Sequence, residues 1–310
     1  MELSVVVPCY NEEAVLAETA SRMCSLIETM KQDGLIEKAN IYFVDDGSKD
    51  KTWELIESHA NQFDCVKGIK LSRNKGHQNA LLAGLFTVKG DIIVSIDADL
   101  QDDIHVIPEM IKNHKEGSDV VYGVRKKRNV DTYFKRKTAE SFYTFMKILG
   151  VDVVHNHADY RLLSRRAIED LKSFRETNLF LRGIVPLIGY KSSIVYYDRE
   201  ERFAGESKYP LKKMLAFAWD GITSFSVVPL RFISFIGFMV FLGTVIMSAW
   251  ILGIKLFTSA AVPGWASTVL PVYLLGGVQI LCIGVIGEYL GKIYSEVKAR
   301  PRYIIEKVRE

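Results

Sequence analysis

Two aspartates separated by one residue follow an apolar stretch of the sequence. Asp97 and Asp99 come directly after Ile92–Ile96, and Gln101 stands two residues further on. Alternate side chains of a strand point to the same side, so the two carboxylates lie close together and repel each other unless a cation lies between them. Carboxylate and amide oxygens are the ligands that hard divalent ions prefer. The triplet therefore predicts a site for Mg²⁺ or Mn²⁺, with coordination positions left for phosphate oxygens.

The sequence lacks the phosphate-binding motifs of the common nucleotide-binding folds. No G-x-x-x-x-G-K-[ST] loop and no G-x-G-x-x-G turn follows an apolar run. These motifs are the usual cradles for nucleoside triphosphates and dinucleotides. A carboxylate-held metal that bridges a diphosphate is then the remaining obvious way to bind a nucleotide.

The elements that would position these residues follow a regular order. Short apolar runs alternate with helical segments, which is the pattern of an α/β protein with a mainly parallel sheet and helices on both faces. The sequence predicts strands at Leu3–Val7, Ile41–Val44, Val66–Leu71, Ile92–Ile96 and Val120–Tyr122, and helices at Glu13–Lys31, Lys51–Asn61, Asn79–Val88 and Ile107–Glu116.

Polar segments follow the first four predicted strands. Ligands bind beyond the carboxyl ends of the strands in sheets of this kind. Any one polar segment could be an ordinary turn rich in Asp, Asn and Gly, but their recurrence favours a ligand site. His77 would stand at a helix start, where it either touches a phosphate or caps the helix. The segments are Pro8–Glu13, Asp45–Ser48, Ser72–His77 and Asp97–Asp102.

The composition changes after about Val228. Two uncharged stretches, Phe232–Ile254 and Trp265–Gly287, are each long enough to cross a hydrocarbon layer of ~30 Å as a helix. A buried core helix is the alternative for each stretch. Lys and Arg flank the outer ends of the pair, so we expect both termini in the cytoplasm and Thr258–Pro263 outside. The flanking cations are Lys212, Lys213, Arg231, Lys292, Lys298, Arg300 and Arg302.

Charge and cysteine usage narrow the possible partners and the compartment. A net charge of +3 is too small to predict binding to nucleic acid, although cations beside the spans suit an anionic inner leaflet. The cysteines are scattered and form no C-x-x-C pair, so we expect ordinary buried thiols in a reducing compartment. They are Cys9, Cys24, Cys65 and Cys282.

Five motifs give the chain a resemblance to a known family. In order they are Val5–Glu13, Asp45–Ser48, Asp97–Asp102, Asp159–Ser164 and Arg202–Tyr209. They resemble the motifs of inverting family-two glycosyltransferases that act on polyprenyl phosphates, most closely bacterial bactoprenol glucosyltransferases, and dolichyl-phosphate mannose synthases are related. The resemblance covers nearly the whole chain. It implies a GT-A fold with a Rossmann-like, mainly parallel sheet, followed by a two-helix transmembrane hairpin.

The resemblance also implies roles for single residues. It assigns a divalent metal to Asp97, Asp99 and Gln101, and the role of catalytic base to Asp159. A phosphate monoester has a second pKa near ~6 and needs no proton removed at neutral pH. The alternatives are that Asp159 orients the acceptor through Arg161 or holds a sugar hydroxyl. The nucleotide sugar would be bound by Pro8, Tyr10, Asn11, Glu12, Asp45, Asp46, Asn74, Gly76, Asp97 and Ala98.

The acceptor side requires positive charge, because a lipid phosphate is an anion that approaches a bound diphosphate. The cations of Val124–Lys137 could equally be a solvated surface. The pattern R-x-x-G-x-S-K offers a glycine and a hydroxyl suited to closing over phosphates. The candidates for binding the acceptor or the diphosphate are Arg125, Lys135, Arg136, Arg161, Arg202, Ser207 and Lys208.

The expected organisation has four parts. Residues 1–208 would form the cytoplasmic catalytic domain, 209–230 amphipathic juxtamembrane helices, 231–290 the two spans and 291–310 a cytoplasmic tail. The expected reaction is inverting transfer of glucose from UDP-glucose onto undecaprenyl phosphate at the cytoplasmic face of the inner membrane. By resemblance we expect a homo-oligomer, a tetramer, that works with a separate flippase and a downstream glycosyltransferase.

Several alternatives stay open at this point. The enzyme could be a polyprenyl-phosphate mannose or N-acetylhexosamine synthase that uses another nucleotide sugar. A processive polysaccharide synthase would need a Q-x-x-R-W motif and usually more spans, and neither is present in the sequence. A membrane scaffold or flippase subunit is the non-enzyme alternative, but charges inside spans usually mark translocation pathways, and these stretches have none.

Overall fold

The computed structural model describes residues 1–126, 157–176, 181–198 and 265–310, together with scattered positions between 230 and 246. The chain divides into two compact units. The first contains the sheet and also the C-terminal residues Arg300–Glu310. The second contains the long helix that ends at Val297.

The N-terminal part has the predicted alternation of strands and helices. All five predicted strands and four predicted helices are present, with bounds that differ by a few residues at their ends. Helix α3 begins at His77, two residues before the predicted start. The elements are β1 (Glu2–Cys9), α1 (Leu16–Gln32), β2 (Lys38–Asp45), α2 (Thr52–Gln62), β3 (Val66–Leu71), α3 (His77–Thr87), β4 (Ile92–Ser95), a 3₁₀ turn (Ile104–Val106), α4 (Ile107–Lys115) and β5 (Val120–Arg125).

The later elements complete the sheet and add antiparallel pairs, so that it is mixed, with parallel pairs in the majority over the described residues. Strand β6 lies between β4 and β5 and is antiparallel to both. Over the described residues the sheet has eight strands in the order β7-β5-β6-β4-β1-β2-β3-β8. The later elements are β6 (His157–Ser164), α5 (Arg165–Leu171), α6 (Leu181–Leu187), β7 (Ser192–Tyr197), α7 (Trp265–Val297) and β8 (Ile305–Arg309).

Strand β1 lies in the interior of the sheet and is buried on both faces. Val5 and Val7 pack in one cluster with Leu16 and Met23 of α1. On the other face α3 approaches so closely that a Cβ at Gly84 would lie 2.3 Å from Cγ1 of Val6. Close packing on both faces fixes the level at which β1 ends, and therefore the position of the polar segment after it.

The C-terminal strand β8 covers the edge of the sheet at β3. It pairs antiparallel with β3, and Lys307 Nζ lies 2.6 Å from Glu57 Oε1 on α2. Nearby, Arg302 Nη2 donates to the carbonyl of Phe174 at 2.6 Å. Without β8, strand β3 would present unpaired backbone groups.

Two of the cysteines lie side by side. Cys24 Sγ on α1 is 3.0 Å from Cys65 Sγ, which stands just before β3. Residues 41 positions apart in the sequence thus meet in the fold. All four cysteines are free.

Helix α7 has 33 residues. Over the part of the chain that the structure describes, no helix is both long and apolar enough to cross a membrane. Most of the first predicted span, and the whole loop after it, lie outside the described residues. The two spans, the juxtamembrane helices and the four-part division of the chain therefore stay predictions.

Candidate active site

The carboxyl ends of neighbouring strands bring the polar segments to one edge of the sheet, as the sequence predicts. Cys9 at the end of β1 stands beside Asp45 at the end of β2, and the N–H of Asp46 donates to the carbonyl of Cys9 at 2.9 Å. Val6 pairs with Ser95, which ends β4. The segments that begin at Pro8, Asp45 and Asp97 therefore share this edge.

Asp46 fastens the segment after β3 to the end of β2. Its Oδ1 accepts from the N–H of Lys75 at 2.7 Å, and its Oδ2 accepts from the N–H of Gly76 at 2.8 Å. Both carboxylate oxygens are used, so this predicted nucleotide-binding residue holds the loop of Asn74 and Gly76 in place. Gly47 permits the approach, since its φ is +65° and a Cβ there would lie 2.6 Å from the Asn74 nitrogen.

Asp45 has one oxygen bound and one without a partner among the described residues. Its Oδ1 accepts from the N–H of Ser48 at 3.1 Å, and its buried Oδ2 has no hydrogen bond. Burial raises the pKa of this carboxyl, and the hydrogen bonds from Ser48 oppose the rise. A buried acceptor without a partner is costly. Asp45 is thus suited to accept from a ligand hydroxyl or N–H.

The segment after β1 is held by side chains of the segment after β2. Asn11, with a φ of 55°, donates its N–H to Ser48 Oγ at 3.0 Å. The N–H of Glu12 donates to Thr52 Oγ1 at 2.9 Å. Tyr10 is 38% exposed. The backbone of this predicted nucleotide-binding segment is therefore fixed, while the Tyr10 ring stays accessible.

Asp97, Asp99 and Gln101 follow β4 in one tight segment. Asp99 Oδ1 accepts from the N–H of Gln101 at 3.2 Å, and Leu100 between them has a φ of 56°. Burial is the largest cause that raises the pKa of Asp97 to about 6. The neighbouring carboxylates of Asp102, Asp159 and Asp99 add to the rise, and His77 partly offsets it. A concentration of negative charge at this point is what a divalent cation would relieve.

No group of three His, Cys, Asp or Glu side chains is arranged to hold a metal ion among the residues that the structure describes. Asp97 and Asp99 are two carboxylates, and Gln101 adds an amide oxygen. This donor set fits a hard cation whose coordination is completed by phosphate oxygens and water. The metal ligands therefore stay a prediction, and the described residues do not form a closed protein site.

Asp159 lies on β6, directly across from the Asp97 segment. Its side chain is 9% exposed and contacts three cationic groups. Oδ1 accepts from Nη2 of Arg161 and lies 3.6 Å from Nε of Arg182. Oδ2 lies 3.5 Å from Nε2 of His77. The same nitrogen of His77 is 3.5 Å from Asp97 Oδ1, so the imidazole connects the two carboxylates.

The cations around Asp159 keep it ionised. Burial raises the pKa of this carboxyl, but the hydrogen bond from His77 and the charges of Arg161 and Arg182 outweigh burial and hold the pKa far below its usual range. For His77, burial lowers the pKa, and the contacts with Asp159 and Asp97 outweigh it and raise the pKa to about 9. A carboxylate with so low a pKa is a weak proton acceptor. This favours an orienting role for Asp159 over that of a general base.

Two arginines of the predicted acceptor set already have carboxylate partners. Arg161 is 1% exposed and lies behind Asp159, where its Nη1 also donates to the carbonyl of Leu181 at 3.3 Å. Arg125 donates from Nη2 to Asp102 Oδ1 at 2.9 Å and from Nε to Tyr197 Oη at 3.2 Å. Arg161 therefore supports Asp159 from the buried side and is not accessible to a ligand. The other candidates, Lys135, Arg136, Arg202, Ser207 and Lys208, lie outside the described residues.

The edge of the sheet that carries the polar segments faces a strand with a buried aspartate. Residues 4–172 match the domain described as Glycosyl transferase family 2. The chain belongs to glycosyl transferase family 2. It is therefore a glycosyltransferase, and the resemblance of its motifs to this family is confirmed.

Relatives of this family-two enzyme match it from end to end. The uncharacterized glycosyltransferase YkoT of Bacillus subtilis is 51% identical over 98% of this chain and 91% of its own length. The prophage bactoprenol glucosyl transferase homolog of Escherichia coli is 40% identical over 100% of both chains. The SfII prophage-derived bactoprenol glucosyl transferase of Shigella flexneri is 40% identical over 99% of this chain and 98% of its own.

Similar solved structures are more distant. Glucosyl-3-phosphoglycerate synthase from Mycobacterium tuberculosis, crystallised with Mn²⁺, UDP and phosphoglyceric acid, is 20% identical over 72% of this chain and 76% of its own, with a TM-score of 0.46. TarS of S. aureus, residues 1–349 in complex with UDP, is 19% identical over 64% of this chain and 60% of its own, with a TM-score of 0.42.

Two residues of the family-two site were not among the predicted site residues. For His77 the sequence predicts a phosphate contact or a helix cap, and the structure places its ring between Asp97 and Asp159. Arg182 lies on α6, beyond the matched domain, in an apolar segment without a motif. For His77 the signal was its place at the end of the segment after β3. For Arg182 the only signal was a single cation in an apolar helix.

Proposed function

We propose that this family-two enzyme transfers glucose from UDP-glucose onto a polyprenyl phosphate, undecaprenyl phosphate, and inverts the anomeric configuration. The observation that carries the proposal is the position of Asp159. It faces the Asp97 segment across a single imidazole, with a nucleotide-binding edge on one side and arginines on the other. Relatives named bactoprenol glucosyl transferase cover the whole chain and support the choice of acceptor and sugar.

In this proposal the segments after β1 and β2 hold the nucleotide. The accessible ring of Tyr10 packs against the base, and the unpaired Oδ2 of Asp45 accepts from a base or ribose donor. Asp46 keeps the segment of Asn74 and Gly76 against the same ligand through its two backbone hydrogen bonds. The remaining predicted contacts, from Pro8, Asn11, Glu12 and Ala98, belong to the same edge.

Asp97, Asp99 and Gln101 would bind a divalent cation, Mg²⁺ or Mn²⁺. When bound, the ion neutralises the diphosphate that departs from the sugar. The protein contributes two carboxylates in a partly buried segment, where burial and then the neighbouring carboxylates raise the pKa of Asp97. A bound divalent cation would offset the charges of the two carboxylates and attract the diphosphate of the donor.

The acceptor phosphate attacks C1 of the sugar from the face opposite the diphosphate. At neutral pH this phosphate is largely a dianion and needs no base, since its second pKa lies near ~6. Asp159 therefore orients the reacting groups through the cations that surround it, or accepts from a sugar hydroxyl. Four charged groups contact one another in series: Asp97, His77, Asp159 and Arg161. The series begins at a predicted metal ligand and ends at a buried guanidinium.

The lipid acceptor implies work at a bilayer. We propose that the two uncharged stretches form the membrane anchor, with the catalytic part and both termini on the cytoplasmic side. Cations at the outer ends of the pair and the apolar length of each stretch support this arrangement. Nucleotide sugars are then available on the side where the catalytic part lies.

The test is a product assay on the purified full-length protein. The protein is incubated with a short polyprenyl phosphate and, in parallel, UDP-glucose, UDP-galactose, UDP-N-acetylglucosamine and GDP-mannose, with and without a chelator. We expect a lipid of one added hexose from UDP-glucose, detected by mass spectrometry, and none in the chelator reaction. A mannose or N-acetylhexosamine product would show that UDP-glucose is not the donor. If no donor gives a lipid product, the proposal that a polyprenyl phosphate is the acceptor is refuted.

A further inference from the structure

The cations near the reacting centre are not equally engaged. Arg161 is buried and binds Asp159 and the carbonyl of Leu181. Arg125 binds Asp102 and Tyr197. Arg161 is 1% exposed and is therefore closed to a substrate. Arg125 is 29% exposed, but its Nε and Nη2 already donate to Tyr197 and Asp102.

Arg182 differs from both. Its Nε lies 3.6 Å from Asp159 Oδ1, beyond hydrogen-bond distance, and has no hydrogen-bond partner within the described residues. Its side chain is 33% exposed. A guanidinium carries five N–H donors in a planar fork. Attraction to Asp159 thus orients the group while leaving donors for a ligand.

The backbone that carries Arg182 is held in place. The N–H of Leu181 donates to Gln78 Oε1 at 3.2 Å, and the carbonyl of Leu181 accepts from buried Arg161. Gln78 follows His77 on α3. The start of α6 is therefore tied to the same helix that supplies the imidazole of the centre. A guanidinium on such a support loses less freedom on binding than one on a loose surface loop.

The order of groups across the centre separates the donor side from the acceptor side. Asp97 contacts His77, His77 contacts Oδ2 of Asp159, and Arg182 lies at the other oxygen, Oδ1. In the proposed function the diphosphate of the donor lies with Asp97 and Asp99, and the acceptor attacks from the opposite face of the sugar. Arg182 is at the other end of the series and therefore on the side that the proposed function gives to the acceptor.

We propose that Arg182 binds the phosphate monoester of the lipid acceptor and presents it to the sugar. This inference rests on the proposed function and adds a residue that the motifs do not contain. The planar fork suits two oxygens of one phosphate. Asp159 orients the guanidinium of Arg182, and the phosphate accepts the hydrogen bonds that this guanidinium donates. The diphosphate of the donor has the same chemistry, so the test must separate the two sources.

The test compares Arg182→Gln, Arg182→Lys and the control Arg22→Gln, which removes an exposed arginine paired with Glu18 on α1. For each protein, kcat and KM are measured with a short polyprenyl phosphate at saturating UDP-glucose, and the Kd of UDP is measured by titration calorimetry without acceptor. We expect Arg182→Gln to lower kcat/KM for the acceptor about 10- to 100-fold, and to leave the Kd of UDP within about twofold. Arg182→Lys should recover part of the loss, because it keeps the charge without the fork.

The outcomes are separable from those of the product assay. A wild-type protein that forms no lipid product refutes the proposed function, whereas a wild-type product with unchanged acceptor kinetics in Arg182→Gln refutes only the role of Arg182. Weakened UDP binding with unchanged acceptor KM would assign Arg182 to the donor diphosphate and also overturn the inference. If Arg182→Gln melts well below wild type, Arg182→Lys decides: acceptor kinetics equal to wild type in that folded variant would contradict the need for the fork.

Discussion

Two aspartates on neighbouring strands show how the surroundings of a residue set its chemistry. Burial and nearby carboxylates raise the pKa of Asp97 to about 6, whereas the cations around Asp159 hold its pKa far below the usual range. The two groups contact the same imidazole, that of His77. One carboxylate is thus suited to take up a cation, and the other is already compensated.

Asp99→Asn should abolish turnover and the metal-dependent part of nucleotide binding. The change keeps the size of the side chain and removes one of the two charges that offset a divalent ion. Product formation and UDP titration, each with and without Mg²⁺ or Mn²⁺, measure the effect. Asp33→Asn, at the exposed end of α1, serves as the matched control and should behave as wild type. Full activity of Asp99→Asn would refute the assignment of Asp99 as a metal ligand.

Asp159→Asn should lower kcat by about 10²-fold or more and leave the Kd of UDP nearly unchanged. Asp159 touches His77, Arg161 and Arg182 and none of the nucleotide segments after β1 and β2. Loss of its charge leaves Arg161 buried without its partner, so we also expect a lower Tm. The exposed Asp198, paired with Lys126, provides the control variant Asp198→Asn. Unchanged kcat in Asp159→Asn would contradict an orienting role and a basic one alike.

Among the elements, those in the N-terminal half were predictable from the sequence because each is local. The strands β1 to β5 are short apolar runs, the helices between them have the helical period, and the polar segments follow strand ends. The placement of Pro8–Glu13, Asp45–Ser48 and Asp97–Asp102 at one edge follows from parallel pairing of β1 with β2 and β4.

The remaining elements depend on contacts that no local pattern encodes. Strand β6 inserts antiparallel between β4 and β5, so Asp159 reaches the Asp97 segment from a part of the chain about 60 residues later. Arg182 meets Asp159 from α6 without any motif. A sequence pattern identifies a charged residue, but packing decides which partner accepts its hydrogen bonds. The sequence therefore predicts Arg161 and Arg125 as ligands of an anion and does not reveal that both are bound to carboxylates of the protein.

The junction of β5, β6 and α5 is held by Asp119. Its buried carboxylate accepts from Ser164 Oγ at 2.8 Å and from Nε of Arg166 at 2.6 Å. The hydrogen bond from Arg166 is the largest cause that lowers the pKa of Asp119, burial opposes it, and the hydrogen bond from Ser164 adds to the lowering. Because the folded-state pKa is depressed, the stabilisation is present above the unfolded-state pKa and is lost as pH falls through the folded value.

Asp119→Asn should therefore lower the free energy of unfolding by about 1–3 kcal/mol at pH 7. The difference from wild type should shrink as pH falls below about 4, where the unfolded carboxyl begins to protonate. The difference is measured as the Tm of both proteins from about pH 3 to about pH 8, on both sides of the carboxyl pKa of ~4. Glu28→Gln breaks the exposed pair with Lys31 and should change stability by less than ~0.5 kcal/mol. A constant Tm difference at all pH values would contradict the charged role of Asp119.

The whole molecule consists of a catalytic unit and a second unit that contains α7. The proposed reaction requires the first unit to have access to a cytosolic nucleotide sugar. Activity therefore depends on the orientation of the protein in the membrane. The positive-inside rule supplies the only directional information in the sequence. It predicts that both ends of the chain are on one side.

Single cysteines placed in Thr258–Pro263 should react with an impermeant maleimide added to intact cells, and a cysteine that replaces Glu310 should react only after lysis. The background for the experiment replaces Cys9, Cys24, Cys65 and Cys282 by serine, and each variant is first checked for expression. Labelling of the Glu310→Cys variant from outside would overturn the orientation and, with it, access to a cytosolic donor.

Strand β8 makes residues Ile305–Arg309 part of the sheet. Lys307 and Arg309 contact α2, and the strand ends within one residue of Glu310. An affinity tag fused directly to the C-terminus would therefore begin almost inside the sheet, and a protease that trims a few residues would uncover β3. Preparations should carry their tag at another position or after a flexible spacer. A sample that clumps on storage should first be checked by mass spectrometry for an intact C-terminus, because an uncovered strand edge pairs readily with another copy of itself.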